Sequence, residues 1–297
     1  MIDLKVYLPL SDLSHFFAAG VVAVFVLLFL LETIDPLRPH KRSRRQRLPV
    51  NGAVTALGFV TGALTVRPAA LGLALWAQDH SFGLLHLLPL PFWLEVAVGI
   101  LWLDLTFYYW HRLNHLRPLL WRFHNVHHVD PDLDVTTSFR FHFGEVLYST
   151  PFRLLQVGLL GVSPATYLLY EFIFNCATMF HHSNVRLPLA LERLLNKVIV
   201  TPRMHGIHHS ALGPETNSNY SVVFSGWDRL NRSLRLNVPQ AEVVIGVPGY
   251  LLPAENHFFR LAAMPVVRQR SYWRWPSGKA PRRVYAVEFP HPGTMLE

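Results

Sequence analysis

The sequence predicts an all-α, multi-pass membrane protein of about four spans, one pair of them a helical hairpin. Three observations carry this. Long apolar runs recur along the chain. Charged residues make up only 15% of 297, against ~25% in ordinary soluble domains. A dense basic run follows directly on the first apolar stretch. Half of the residues are hydrophobic and 13% are aromatic, and the length suits one large domain or two small ones.

The elements follow in order. Residues 16–31 form an unbroken apolar run of 16 residues. Extended to 13–31, it approaches the ~20 residues that span a bilayer. It does not read as a secretory signal, because the positive charges follow the run and no small-residue cleavage site is evident. Arg38, Lys41, Arg42, Arg44, Arg45 and Arg47 then fall within ten residues. Beside a span, such a cluster marks the cytoplasmic side and can hold anionic lipid headgroups. Nucleic-acid binding is the other reading of a basic run, but the net charge of +8 requires no nucleic acid.

A second apolar stretch, residues 50–76, contains Arg67-Pro68, where proline predicts a break or kink. Gln78-Asp79-His80 reads as a short external turn. Residues 92–110 return as a third span ending directly at His111, and Glu95 and Asp104 within it must face protein or water. Residues 147–180 are apolar and broken at the midpoint by Gly161-Val162-Ser163-Pro164, which predicts two short helices in a hairpin. One continuous span is the alternative, and it would put the last histidines across the membrane from the others. From Asn184 the chain is more polar. Residues 245–250 are a turn-rich connector, and the tail from Tyr272 reads as irregular and partly disordered. The single cysteine, Cys176, excludes an intrachain disulfide and a Cys-based zinc site and reads as a small core residue. There is no internal repeat beyond a paired HxxHH, and no GxGxxG fingerprint.

Eight of the 17 histidines stand in three tight clusters: His111/His115, His124/His127/His128 and His205/His208/His209. On a helix, positions i, i+3 and i+4 share a face. Neutral imidazole suits iron, copper, nickel or zinc. A lone HxxxH is as well explained by a structural or surface role. An HxxHH repeated 81 residues apart is not. Eight imidazoles are too many for one metal, so the count points to two metals, or to one metal and spare residues.

The flanking residues resemble the membrane-bound fatty acid hydroxylase superfamily, also called the sterol desaturase family. Tyr109-Trp110-His111-Arg112-Leu113-Asn114-His115 is similar to its first histidine box, and Trp121-Arg122-Phe123-His124-Asn125-Val126-His127-His128 to its second. Ser138-Phe139-Arg140-Phe141-His142 resembles its S-x-R-x-H element, and Phe180-His181-His182-Ser183-Asn184 its F-x-H-S-N element. Residues 201–210, from Thr201-Pro202-Arg203 to His208-His209-Ser210, resemble the last box. Asn219-Tyr220 and Trp227-Asp228-Arg229 resemble its closing N-Y and W-D-R elements. One departure is Asn231-Arg232-Ser233, where the family often has Phe-Gly-Thr; no catalytic consequence is expected.

The resemblance implies a four-helix membrane base with a cytosolic helical cap and a histidine-rich dimetal site between them. The expected divisions are an N-terminal helix and basic loop (1–47), the catalytic membrane domain (48–250) and a C-terminal extension (251–297). It implies the metal ligands His111, His115, His124, His127, His128, His182, His205, His208 and His209. His142 joins them, with a structural role as its alternative. His181 is expected to pack or cap, and His15, His40, His80 and His86 lie outside the pattern. Asp104, seven residues before His111 on roughly the same helical face, could accept a ligand histidine's second N–H; an ordinary buried pairing is the alternative. Glu145 and Asp228 are further candidates, Asp228 alternatively pairing with Arg203 or Arg229.

The chemistry implied is O2-dependent hydroxylation, desaturation or ether-bond oxidation of a membrane lipid such as a sterol, fatty acyl or ether lipid. Two Fe ions are the expected cofactors, and an imidazole site also accepts Zn on isolation. The chain shows no haem, flavin or iron–sulfur segment, so a separate electron donor of ferredoxin, rubredoxin or cytochrome b5-like type is expected, docked on the cytoplasmic basic surface. Three alternatives compete: an acyl-lipid desaturase of the other three-box membrane family, a zinc-dependent membrane hydrolase, and a non-enzymatic metal-binding or transport protein. A catalytic zinc site takes three protein ligands, often with a nearby glutamate, and transport ligands belong near mid-span. Neither pattern is present.

Overall fold

A computed structural model describes residues 9–283. Among the described residues twelve α-helices form in chain order: α1 (Leu10–Ile34), α2 (Arg44–Leu64), α3 (Val66–Asp79), α4 (Phe92–Leu116), α5 (Pro118–His128), α6 (Phe143–Leu160), α7 (Pro164–His182), α8 (Leu189–Leu195), α9 (Pro202–His208), α10 (Gly213–Thr216), α11 (Gly226–Leu230) and α12 (Phe258–Ala263). The described residues contain no strand, only isolated bridges such as Pro36 with Val185. Among them, three stretches are long and apolar enough to cross a membrane: Leu10–Ile34, Arg44–Leu87 and Phe92–Leu116. The chain is an integral membrane protein.

The break in the second stretch falls at Thr65, three residues before Pro68. The proline has no N–H for the Leu64 carbonyl, and its ring crowds that carbonyl. α2 therefore ends at Leu64, and α2 and α3 both lie along α6. The hairpin forms as two helices. Gly161 ends α6 in the left-handed region at φ 73°, which glycine adopts without strain. Ser163 then caps α7, with Pro164 in its first turn. A Cβ on Gly83 would lie 2.4 Å from the Gly161 backbone. The α3–α4 connection and the hairpin tip thus interlock at the end of the molecule away from the clustered histidines. Between the two ends, Ala70, Ala74, Leu103, Val157, Tyr167 and Tyr170 pack as one core.

At the histidine end the basic run departs from its expected exposure. Arg38 and Arg47 are buried. Arg47 Nη2 donates to Asp130 Oδ2 at 2.8 Å and Nη1 to Asp134 Oδ2 at 2.5 Å, while Arg140 reaches Asp130 at 3.2 Å. Burial alone would raise the Asp130 carboxyl, but Arg47 and Arg140 hold it well below the ordinary carboxylate range. Arg44 pairs with Glu32 of α1 at 3.1 Å, and the other Glu32 oxygen accepts from the backbone of Val135 and Asn184. Much of the run is therefore structural glue between α1, α2 and the segment after α5.

The segment from Tyr272 is irregular, as expected, but it is docked. Tyr272 and Trp273 pack on Trp121 with ring centroids 5.9 and 5.8 Å away, and Arg283 pairs with Glu215 at 2.9 Å. Residues 284–297 of the expected disordered tail lie outside the described residues. Trp121, Val126, Tyr250, Leu261 and Met264 share one core, so residues beyond 250 pack directly on the second histidine box. Cys176 is half-buried in the cluster joining α1 to α7.

Candidate metal centre

Helix α4 presents His111 and His115, α5 presents His124, His127 and His128, α7 ends in His182, and α9 carries His205 and His208, with His209 as its C-cap residue. All nine are buried. They sort into two groups whose ligand atoms lie within 4.8 Å of one another: His111, His115, His124, His128 and His208 in the first, His127, His182, His205 and His209 in the second. Each HxxHH is split between them. His124 and His128, one turn apart, join the first group while His127 turns to the second. His205 and His209 join the second while His208 turns to the first. One helical turn separates i from i+4 and the i+3 side chain is rotated off that line, so two helices supply both centres reciprocally.

Acceptors behind the rings fix their orientation. Nδ1 of His111 donates to the Tyr220 carbonyl at 2.7 Å, Nδ1 of His208 to the Ser218 carbonyl at 2.7 Å, and Nδ1 of His182 to the Thr178 carbonyl at 2.8 Å. Nδ1 of His124 donates to Glu145 Oε1 at 2.8 Å. Carbonyls and carboxylates only accept, so Nδ1 carries the hydrogen and Nε2 is left with its lone pair. Nε2 of His124, His128 and His208, and both nitrogens of His115, have no hydrogen-bond partner. In the second group the Nε2 atoms close on one another: 3.0 Å from His127 to His182, 3.0 Å from His182 to His205 and 3.2 Å from His205 to His209. Buried nitrogens left unpartnered or facing each other cost free energy unless a cation sits among them. Burial, reinforced by the neighbouring imidazoles, holds His128, His205 and His209 well below the ordinary histidine value, and burial brings His208 down to about 3. They are neutral, the form that binds metal. The residues fit a pair of imidazole-held metal ions.

The remaining candidates fall elsewhere. His142 caps α6, accepting from the Gly144 N–H at 2.9 Å, and its Nε2 donates to the Ala262 carbonyl at 3.0 Å; it belongs to neither group. His181 donates through Nδ1 to the Val222 carbonyl at 3.1 Å and packs its ring against His205. Asp104 touches no histidine. It accepts from the backbone of Val223 and Phe224 and from Trp227 Nε1. Asp228 pairs with neither Arg203 nor Arg229. It accepts from the backbone of Tyr220 and Ser221 and from the Ser233 hydroxyl. Arg203 pairs instead with Glu192, and Arg229 donates to Asn196. Asp104 and Asp228 therefore clamp, from two sides, the loop whose carbonyls orient His111 and His181. Asn219 opens that loop at φ 53°, its side chain bonded to Met204 and Arg235 backbone. The orienting carbonyls of Ser218, Tyr220 and Thr178 were not foreseen; the N-Y and W-D-R elements were the signal for that loop.

A narrow pocket opens onto the histidines, walled by Phe107, Trp110, Phe141, Phe174 and Val222, with a volume of about 30 Å³. Its polar atoms include Glu145 Oε2 and the Thr178 hydroxyl, both buried without a partner.

A helical membrane frame closing two imidazole clusters beside an apolar pocket defines a histidine-rich, metal-binding class of membrane protein. Residues 96–233 match the family model for fatty acid hydroxylase. Three relatives are similar. Ornithine lipid hydroxylase from Rhizobium tropici is 30% identical over 159 residues, 54% of this chain and 47% of that protein. Cholesterol 25-hydroxylase from Homo sapiens is 29% identical over 147 residues, 48% of this chain and 51% of that protein. Alkylglycerol monooxygenase from Xenopus tropicalis is 24% identical over 245 residues, 79% of this chain and 50% of that protein. The chain spans about half the length of the curated relatives it matches. No solved structure matches.

Proposed function

We propose that this chain is an O2-dependent oxidoreductase that hydroxylates or desaturates a C–H bond of a membrane lipid at two imidazole-held irons. The observation that carries this is the reciprocal split of nine buried histidines into two facing groups at the mouth of an apolar pocket. The family match over residues 96–233 supports it over the acyl-lipid desaturase alternative. Nine imidazoles without a three-ligand zinc pattern speak against the hydrolase.

His111, His115, His124, His128 and His208 would hold one ion, and His127, His182, His205 and His209 the other. Bound there, the irons supply the activation of dioxygen that an unactivated C–H bond requires, since such a bond offers neither an acidic proton nor an electrophilic centre. The chain's own residues do the rest. Glu145 and the Tyr220, Ser218 and Thr178 carbonyls keep His124, His111, His208 and His182 in the tautomer that binds. Phe107, Trp110, Phe141 and Phe174 exclude water and give a hydrocarbon an apolar wall. The pocket holds a molecule of water or dioxygen size, so a lipid chain enters by moving these rings. The relatives, by name, act on an ornithine lipid, cholesterol and alkylglycerol. A sterol, fatty acyl or ether lipid is the substrate class proposed here. Two electrons per turnover come from a separate ferredoxin, rubredoxin or cytochrome b5-like donor. The basic run after α1 supports a cytoplasmic position for the histidine end.

The test is anaerobic iron reconstitution of the detergent-purified protein with metal counting and Mössbauer spectroscopy. Two irons per chain, lost when His127 and His128 become alanine, are expected. One tightly held zinc and no affinity for iron would overturn the reading.

A further inference from the structure

We infer that a second cavity, at the first turns of α2, binds the phosphate of an anionic phospholipid headgroup. The cavity measures about 510 Å³ and shares no lining residue with the histidine pocket. Lys41, Arg42, Arg47 and Arg140 line it against a single lining carboxylate, Asp130.

The charges are not equally committed. Arg47 is held by Asp130 and Asp134, and Asp132 lies 3.6 Å from its Nε. Arg140, fully buried, must share Asp130 with Arg47, and its Nε has no partner. Among the described residues the Arg42 side chain donates to one acceptor, the neutral Leu251 carbonyl, at 2.6 Å. The Lys41 side chain is exposed, with no hydrogen bond or ion pair among the described residues. Asp132 is occupied with the backbone N–H groups of Lys41 and Arg42. One exposed cation, one half-buried cation held by a neutral carbonyl and one under-neutralised guanidinium therefore converge on a space that Ser43 and Gln46 also line, at the positive end of a 21-residue helix. A phosphate, which accepts several charge-assisted hydrogen bonds, matches that donor set.

The surroundings select a lipid as the source. α2 begins a membrane-crossing stretch, so its first turns sit at the level of the headgroups. Beside the lining residues Pro253, Asn256 and His257, the side chains of Leu252, Phe259 and Val266 are 45%, 78% and 81% exposed. Basic residues flanked by exposed apolar ones are the composition of a surface that lies in the interface. A headgroup here bridges α2, the segment after α5 and the docked C-terminal segment.

The experiment is calorimetric titration and thermal unfolding of the full chain in detergent with dihexanoyl phosphatidylglycerol, dihexanoyl phosphatidylcholine and inorganic phosphate. Phosphatidylglycerol should bind and raise the melting temperature by mass action. Phosphatidylcholine and inorganic phosphate should bind about tenfold or more weakly. Lys41→Gln with Arg42→Gln should weaken phosphatidylglycerol binding about tenfold or more, while Arg45→Gln, on the same run but outside the cavity, should not. If the double variant is unstable, Lys41→Glu at an exposed, unpartnered side chain should give the same loss. Equal binding of both phospholipids, or unchanged binding by these variants, overturns the site. Inorganic phosphate bound as tightly as phosphatidylglycerol overturns the lipid assignment in favour of a soluble anion.

Discussion

Glu145 accepts the Nδ1 hydrogen of His124 at 2.8 Å, and among the described residues this is the one imidazole of the nine oriented by a carboxylate side chain. The contact joins the first turn of α6 to the second histidine box. Its other oxygen, Oε2, is buried without a partner at the pocket wall. Replacing Glu145 with alanine frees the ring to rotate and removes the acceptor that fixes its tautomer. Metal affinity should fall ~10–100-fold, read by competition against a chelator with Zn or Fe(II). Glu145→Gln keeps an amide oxygen at the same reach and should recover most of the loss. Equal affinity in wild type and Glu145→Ala would sink the assignment.

Asp104 and Asp228 act on one object, the loop from Ser218 to Phe224. Asp104 holds its far end from α4, through Val223 and Phe224, and Asp228 holds its near end through Tyr220 and Ser221. Each substitution to asparagine turns a charge-assisted acceptor into a weaker neutral one and should destabilise by about 2–3 kcal/mol. Because both losses release the same loop, the double variant should fall short of the sum by at least ~0.5 kcal/mol. Each variant should also loosen metal in the first group, since the Tyr220 carbonyl orients His111. Strict additivity in an unfolding-free-energy cycle would argue that the two carboxylates serve separate structures.

What could be read from the sequence follows from how local the signal is. The histidine faces are helical phase, a property of neighbouring residues, and nine of the ten expected ligands meet in two groups. Three of the four supports behind them are backbone carbonyls, two of these from a loop more than 100 residues from His111 and only ten from His208. A carbonyl has no residue signature, so spacing cannot find it. Asp104 illustrates the limit: it shares a helical face with His111, but its carboxylate accepts from Val223, Phe224 and Trp227, and the His111 Nδ1 hydrogen goes to the Tyr220 carbonyl. The packing of the basic run was hidden for a similar reason. As a string it reads as an exposed loop, yet Arg47 is buried against Asp130, Asp132 and Asp134. That acidic triplet, one residue after the second box, was visible in the sequence as the complement of the run.

The Arg47–Asp130–Arg140 contacts carry their own prediction. Asp130→Asn leaves two buried guanidiniums around a neutral amide and should cost about 3–5 kcal/mol, read by loss of melting temperature in detergent. The pH dependence has a definite sign. Despite burial, Arg47 and Arg140 hold the Asp130 carboxyl below its unfolded value, which is about 3.9. Its contribution is therefore complete above that value and is lost as the pH falls below it, when the unfolded chain takes up the proton first. Its share of wild-type stability should be level from pH 8 to about 5 and decline only in stronger acid. Asp130→Asn should show a shallower acid limb. An equally steep acid limb in the variant would place the acid-sensitive group elsewhere.

His142 separates helix capping from metal binding. Its Nδ1 accepts from the Gly144 N–H, so that nitrogen is unprotonated, and its Nε2 then carries the hydrogen donated to the Ala262 carbonyl. Both ring nitrogens are engaged, and neither is turned toward the two histidine groups. Removing the ring should leave the metal count per chain unchanged, while the loss of an N-cap acceptor costs about 1 kcal/mol and the lost Ala262 contact loosens α12. His142→Asn restores a capping oxygen but does not reach Ala262, so it should recover part of the stability lost in His142→Ala. His128→Ala is the contrast: its Nε2 faces the first group without a partner, and its loss should lower the metal count with little change in helix capping. Parallel metal analysis and melting of the three variants reads both effects. A metal count that drops in His142→Ala as far as in His128→Ala would return His142 to the ligand set and require the α6 N-terminus to rearrange when metal binds.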